Sequence, residues 1–513
     1  MPASRKTDQS IWWFFAFLIA YFSFEACFVR FIALGAGLDD AELISNLSFW
    51  SWGYGGSQPP LYTWLAYGLT SVFGLHFALL QFLRFTLLAS GFFAVYLGLR
   101  LLQVARPLAA FAVLSMFLLP QIGWESQRAL IHSVLGTAGS AWSFAAFVWF
   151  VCRPGYQRAL CLALAISMAV LGKYNGLIFI GALFMSGFFL PPVGRALCTR
   201  YFAAAVAMAL ALMAPALVFM LLHPQSVVER SIKFRAGAGG NWFIDRLAGG
   251  LDLLRAGFSF VLPALAAALL IAAIVWLKQR RRAAPRPAGG EQAAMVSGRA
   301  LNRAELPAAM RFLRVVLLSA LALCALMVLV SGATHIKDRW LQPVLFLAPP
   351  YAALWLAWLD KSGRSARAFG LLGLIAACIV PPMLYANLYA RSGKARPPIQ
   401  NLDYPALYAG LRANGPIAAV LAPEPFYAGN LRLIDPQIKT LFAETVFAAA
   451  RLRRPLVILW KTRPDLPAEL QPIMAEAGIK PGALPPVQRL VVPYRGTKKA
   501  ALKSETFYYL YLP

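Results

Sequence analysis

Two adjacent carboxylates, Asp39 and Asp40, follow directly on the first long apolar run of the chain, with Glu42 two residues further on. A carboxylate at the edge of a membrane is partly desolvated, which raises its pKa toward neutrality and suits a general base that strips a proton from a hydroxyl. The same pair also suits the start of a short helix running to Phe49, where an Asp caps free backbone N–H groups. The next segment is rich in rings: Trp50, Trp52, Tyr54, Tyr62 and Trp64, around the turn Gln58-Pro59-Pro60. Such rings form an interfacial belt, and they also stack on sugars. A second set of residues is cationic or polar: Arg84; Glu125, Arg128 and His132; Lys173 and Asn175; and His335, Lys337, Asp338 and Arg339. Together these cations favour an anion such as a lipid phosphate, through charge-assisted hydrogen bonds. Local pairs, Glu125 with Arg128 and Lys337 with Asp338, would neutralise some of them. Arg230, Lys233 and Arg235, ahead of a glycine-rich stretch, read as a flexible basic cover for a substrate.

The elements that position these residues are membrane helices. Of 513 residues 60% are hydrophobic and 13% charged, and mean hydropathy is +0.63. Soluble domains carry about twice that share of charge. About eleven apolar runs approach the roughly 20 residues that cross hydrocarbon. They are Ile11–Leu34, Ala78–Leu102, Pro107–Ile122, Ser133–Cys152, Ala159–Gly172, Leu177–Leu190, Phe202–Leu222, Phe258–Leu277, Phe312–Ser331, Leu341–Leu359 and Phe369–Tyr389. No small-residue cleavage site follows the first, so it is expected to be retained as a helix. Leu61–Phe73 is too short to span and is expected to lie in the interface.

With the N-terminus cytoplasmic, every cytoplasmic connection is basic, as the positive-inside rule requires. The residues singled out above then fall on the outer side. Part of the net charge of +27 lies at 278–311, expected to be a cytoplasmic basic linker at an anionic leaflet. No aromatic platform accompanies that charge, so nucleic acid is not an expected partner. Residues 1–389 form the expected membrane module, with 35–77 as its first external loop. Residues 390–513 form a small external α/β domain, with strands expected at Ile417–Leu421, Leu456–Trp460, Arg489–Val492 and Phe507–Leu512 and a helix around Leu466–Ala477. Within the first span, Glu25 is expected to pair inside the bundle and Arg30 to reach the interface. Six Cys and four His show no disulfide or metal spacing, although His132 and His335 leave a zinc site open in three dimensions. Phosphate-binding and dinucleotide glycine motifs are absent, which disfavours an ATP-driven pump.

Taken in order, Asp39-Asp40-Ala41-Glu42, Gln58-Pro59-Pro60-Leu61, Gly172-Lys173-Tyr174-Asn175, Lys337-Asp338-Arg339-Trp340 and Ala428-Gly429-Asn430-Leu431 resemble bacterial family 39 and aminoarabinose-transferase-like glycosyltransferases. The resemblance implies a mainly α, polytopic GT-C fold with a small C-terminal periplasmic α/β domain, in a bacterial inner membrane. It implies an inverting transferase that moves a sugar from a polyprenyl-phosphate donor to a periplasmic envelope acceptor, such as lipopolysaccharide, lipid A or another glycan. Asp39 aligns with the family's base position and Arg339 with its phosphate contact. Arg84, Lys173 and Lys337 are expected to share that phosphate. Asp40 is expected to orient the acceptor or to hold an optional divalent ion; no other cofactor is expected. The family's aminoarabinose members often carry a Lys where this chain has Gln58, which leaves a uronic acid, a hexose or another sugar open as the donor. A lipid-linked sugar transporter or flippase and a protein O-glycosyltransferase are the alternatives.

Overall fold

The structure is a computed structural model that describes residues 5–55, 58–223, 241–283, 306–390, 397–480, 482, 484–496 and 503–513. Its first two thirds are helical: α1 (Arg5–Ile32), α2 (Leu38–Asn46), α3 (Leu61–Phe73), α4 (Phe77–Leu101), α5 (Arg106–Leu114), α6 (Ile131–Cys152), α7 (Tyr156–Gly172), α8 (Gly176–Phe189), α9 (Arg200–Leu222), α10 (Trp242–Ala283), α11 (Leu306–Ser331), α12 (Ala348–Leu359) and α13 (Arg364–Tyr389). Among the described residues seven helices are long and apolar enough to cross a membrane, or up to 10 if each of three bent pairs is one span. The remaining expected span is α7, an apolar helix of 17 residues. Large side chains such as Phe31, Leu222, Leu270 and Val330 face outward, where lipid would cover them.

Small residues let these helices approach. A Cβ on Gly139 of α6 would stand 2.3 Å from the Ala169 backbone nitrogen of α7, and one on Gly91 of α4 would stand 3.3 Å from the Ala138 Cα of α6. Without a hydrophobic drive between helices in lipid, such close backbone packing supplies the association.

Two of the bends lead into residues singled out in the sequence. Arg106–Leu118 meets Gln121–Arg128 at 80°, and Asp338–Leu345 meets Ala348–Leu359 at 56°. Residues Gln121–Glu125 form a π-helical turn, a device that re-aims side chains within a helix. Irregular backbone at membrane depth is tolerated where protein or a cavity covers it, and these two breaks deliver Glu125, Arg128, Asp338 and Arg339.

Two expectations shift. The outer loop expected over 223–257 is helical from Trp242, because α10 runs 42 residues, roughly 63 Å at 1.5 Å per residue and twice the hydrocarbon thickness. The basic linker narrows at both ends: Lys278–Ala283 completes α10 and α11 begins at Leu306. Residues 284–305 and the basic cover Arg230, Lys233 and Arg235 lie outside the described residues.

The tail carries helices α14 (Tyr404–Arg412) and α15 (Pro425–Ile434) and strands β1 (Ala419–Ala422), β2 (Lys439–Phe442), β3 (Leu456–Lys461), β4 (Gln488–Pro493) and β5 (Ser504–Leu512). The sheet order is β2-β1-β3-β5-β4. β1 pairs in parallel with β2 and β3, and β5 pairs antiparallel with β3 and β4. Four strands fall where the sequence predicts them; β2, α14 and α15 were not anticipated. The helix expected around Leu466–Ala477 shortens to Gln471–Glu476, preceded by a 3-10 turn. α15 packs on α2, so the tail touches the acidic segment itself.

Candidate active site

α2 starts at Leu38 with Gly37 at its N-cap and no side-chain cap bond, so neither Asp caps the helix. Both lie in its first turn, where a negative charge complements the helix dipole. Their side chains then part. Asp39 accepts the backbone N–H of Leu130 at 2.7 Å and lines a cavity of about 520 Å³. Asp40 is buried against the equally buried Arg84, in direct ion-pair contact. Burial pushes the Asp40 carboxyl upward, and the guanidinium opposes that shift.

Arg84 was expected at the donor phosphate. Its guanidinium is instead committed to Asp40, with a weaker bond to the Gln127 carbonyl at 3.4 Å. A divalent ion does not fit at Asp40 either, since a cation already fills that side of the carboxylate. Among the described residues no group of three His, Cys, Asp or Glu is placed to hold a metal.

The Asp39 cavity is also lined by Glu125, Arg128, Leu130, Arg339, Asn387, Gln400 and Phe426. Glu125 and Arg128 form the expected pair at 2.7 Å. Arg339 and Glu125 border a second cavity of about 550 Å³, lined further by Gln121, Asp252, Arg255, Ser259, His335, Lys337 and Asp338. Asp338 binds the Gln121 amide at 2.6 Å instead of Lys337, and Lys337 stays exposed. Asp252 receives the Ile336 N–H at 2.6 Å and fixes the 334–340 segment to α10.

Lys173 lines neither cavity but reaches the backbone of Arg339, which borders both. It fits against α6 because Gly136 has no side chain: a Cβ there would be 2.5 Å from the Lys173 Cβ. Its ammonium donates to Ser133 Oγ and to the Arg339 carbonyl. Burial, reinforced by the nearby Arg339 charge and opposed by Asp39, pushes its pKa down to about 7. The Asn175 amide donates to the Trp340 carbonyl at 3.0 Å. The segment around Lys173 thus clamps the segment that carries Arg339.

Other expected residues are structural or peripheral. Tyr54 and Tyr62 are buried; the Tyr62 ring centroid lies 5.7 Å from that of His132. Trp52 is half exposed within a cluster with Trp50 and Trp64. Glu42 lies half-buried on α2, and Gln58 half-buried just before the turn into α3. Glu25 corrects its expectation: it is buried, and neither carboxyl oxygen has a hydrogen-bond partner among the described residues. The neighbouring Tyr21 hydroxyl is turned to Gln127 and the Ala377 carbonyl.

The tail holds α2 directly. The Asn430 side chain accepts the Ala36 N–H at 2.7 Å and donates to the Ala36 carbonyl at 3.1 Å. Gly429 lies so close that a Cβ would stand 2.2 Å from the Ala41 carbonyl oxygen. Arg432 reaches the other end of α2, donating to the Ile44 carbonyl and Ser48 Oγ. Sequence reasoning noted residues 428–431 only as a resemblance. It missed Gln121, Asp252, Asn387 and Gln400, which are single polar residues without a motif.

The fold is that of a polytopic membrane protein of GT-C architecture. The crystal structure of ArnT from Cupriavidus metallidurans bound to undecaprenyl phosphate superposes with a TM-score of 0.54 at 12% identity, covering 98% of each chain. Two lipopolysaccharide core galacturonosyltransferases of Rhizobium johnstonii are similar along almost the whole sequence. RgtB is 27% identical over 479 residues, 93% of this chain and 92% of its own; RgtA is 27% identical over 500 residues, 93% of each. No protein-family model matches. In sequence the chain is thus similar to lipopolysaccharide core glycosyltransferases and in fold to ArnT, in line with the resemblance of its motifs.

Proposed function

We propose that the protein transfers a uronic acid, of the galacturonic type, from a polyprenyl-phosphate donor to the core of lipopolysaccharide at the periplasmic face of the inner membrane. The observation that carries the reading is that Asp39 and Arg339 line one cavity. Asp39, held by the Leu130 N–H, takes the proton from an acceptor hydroxyl. The acceptor oxygen attacks the anomeric carbon from the face opposite the phosphate, so the configuration inverts. The bond from that carbon to the phosphate oxygen breaks, and its electron pair leaves with polyprenyl phosphate. Arg339 and Lys173 stabilise that growing charge, with Lys337 and His335 in the adjoining cavity guiding the anionic donor. The names of the relatives support the sugar and the acceptor, and Gln58 agrees with a donor other than aminoarabinose. On this reading residues 1–389 form the membrane module and 390–513 a periplasmic domain.

Purified protein incubated with polyprenyl-phosphate galacturonate and core-bearing lipopolysaccharide is expected to release free polyprenyl phosphate and to add the mass of one uronic acid to the acceptor. Movement of intact donor between leaflets without transfer would make the protein a transporter and overturn the reading.

A further inference from the structure

The lining of the Asp39 cavity is made of two unlike groups of residues. One carries the charges Glu125, Arg128 and Arg339 and adjoins the second, cation-bearing cavity. The other is neutral, made of Asn387 from the end of α13, Pro398, Ile399 and Gln400 from the start of the tail, and Phe426 from the first turn of α15. Neither the Asn387 nor the Gln400 amide has a hydrogen-bond partner among the described residues, although both border the cavity.

The neutral group is held in place by its neighbours. Asn401, next to Gln400, is fully buried and donates to the Leu388 carbonyl at 2.8 Å, next to Asn387. Its own carbonyl accepts the Arg495 N–H. Gly37, at the cap of the Asp39 helix, lets the Gln400 amide approach: a Cβ there would stand 2.9 Å from Nε2. The two amides therefore project from backbone tied to the last membrane helix and to the helix of the base.

We propose that Asn387, Gln400 and Phe426 form the acceptor-sugar subsite, where the two amides bind neutral hydroxyls of the acceptor and the ring packs on its C–H face. The inference rests on the transfer reading above, which places the acceptor beside Asp39. An amide both donates and accepts, as a hydroxyl requires, whereas the carrier phosphate calls for charge, which the other group of lining residues supplies. A cavity of about 520 Å³ is within the size range of sites that enclose small ligands. The tail domain thereby selects the acceptor, while the membrane module holds the donor.

The test is binding of free lipopolysaccharide core oligosaccharide to the full-length protein loaded with undecaprenyl phosphate, followed by calorimetry, with acceptor and donor KM measured alongside. Asn387→Ala and Gln400→Ala are each expected to weaken oligosaccharide binding about three- to tenfold, the worth of one neutral hydrogen bond. Affinity for undecaprenyl phosphate should stay at the wild-type value, which also reports intact folding. Gln400→Glu, of nearly the same shape, should weaken the oligosaccharide without lowering thermal stability. Unchanged oligosaccharide affinity in both alanine variants, or an equal loss of undecaprenyl phosphate affinity, would overturn the subsite. A wild-type protein that binds the oligosaccharide at these residues yet transfers nothing would sink the proposed function and leave the subsite standing; one that does not bind it would sink the subsite.

Discussion

The Asp39 carboxylate accepts the backbone N–H of Leu130 at 2.7 Å, a contact that spans 91 residues of chain. Leu130 adopts a left-handed conformation, φ 58°, at the end of a helical break, and its N–H is thereby aimed at the acid. One oxygen of Asp39 is fixed and the other stays available to a proton.

Asp39→Asn keeps an oxygen for that N–H and loses the base. Its kcat is expected to fall by about 10²- to 10⁴-fold, the usual worth of general base catalysis, with the thermal midpoint unchanged. Asp39→Ala should lose the midpoint as well. Wild-type turnover in the Asn variant, measured as release of polyprenyl phosphate, would remove Asp39 from this role.

Asp40 and Arg84 form a buried ion pair, and breaking one side leaves a charge stranded in a dry site. Arg84→Met and Asp40→Leu are each expected to cost about 3–5 kcal/mol, while the double variant costs far less than their sum. Thermal unfolding in detergent checks this. If the losses simply add, the pair is not the reason both charges tolerate burial. Stabilisation of the double variant by undecaprenyl phosphate should persist, since the phosphate is held elsewhere.

Lys173 sits near pH 7 instead of its ordinary 10.5, so at higher pH the empty site holds it neutral. An anion that neutralises the Arg339 field and accepts from the ammonium restores the charged form. Binding of undecaprenyl phosphate therefore takes up a proton above pH 7, and affinity falls as pH rises, by at most about tenfold per unit. Below pH 7 the dependence on this group disappears. Calorimetry in buffers of different ionisation enthalpy counts the proton. Lys173→Arg, which stays charged, should flatten the profile; an unaltered profile would assign the pH dependence to another group.

The membrane frame was legible in the sequence because hydropathy reports burial in lipid directly. The helix Leu61–Phe73 was expected with the bounds it has. α10 was read short because Asp245, Arg246, Asp252 and Arg255 interrupt the apolar pattern of its N-terminal part. β2 has four residues and pairs in parallel with a non-adjacent segment, so no local pattern announces it. The division of labour between Asp39 and Asp40 was not legible either. It depends on Arg84 standing 44 residues away on α4 and on a backbone N–H at Leu130, neither of which leaves a local signature beside the two acids.

The contact of Gly429 with Ala41 turns the tail into part of the catalytic geometry. A Cβ at Gly429 would meet a backbone oxygen at 2.2 Å, and a backbone atom inside a helix cannot rotate out of the way as a side chain can. In Gly429→Ala, α15 must back away from α2, and Asn430 then loses its two bonds to Ala36. Overpacking of this kind costs about 1–3 kcal/mol. The shift acts on the helix that carries Asp39, while Arg339 and Lys173 are held by α7, α10 and the 334–340 segment. The expected signature is therefore a kcat reduced at least about tenfold, with donor KM near the wild-type value, as for a loss felt in the transition state alone. Asn430→Ala should show the same split with a smaller steric cost, because it leaves the Ala36 N–H unpaired in a buried place. Steady-state kinetics on both variants decides the matter. If donor KM rises in step with the loss of kcat, the latch supports the whole site and not the position of the base.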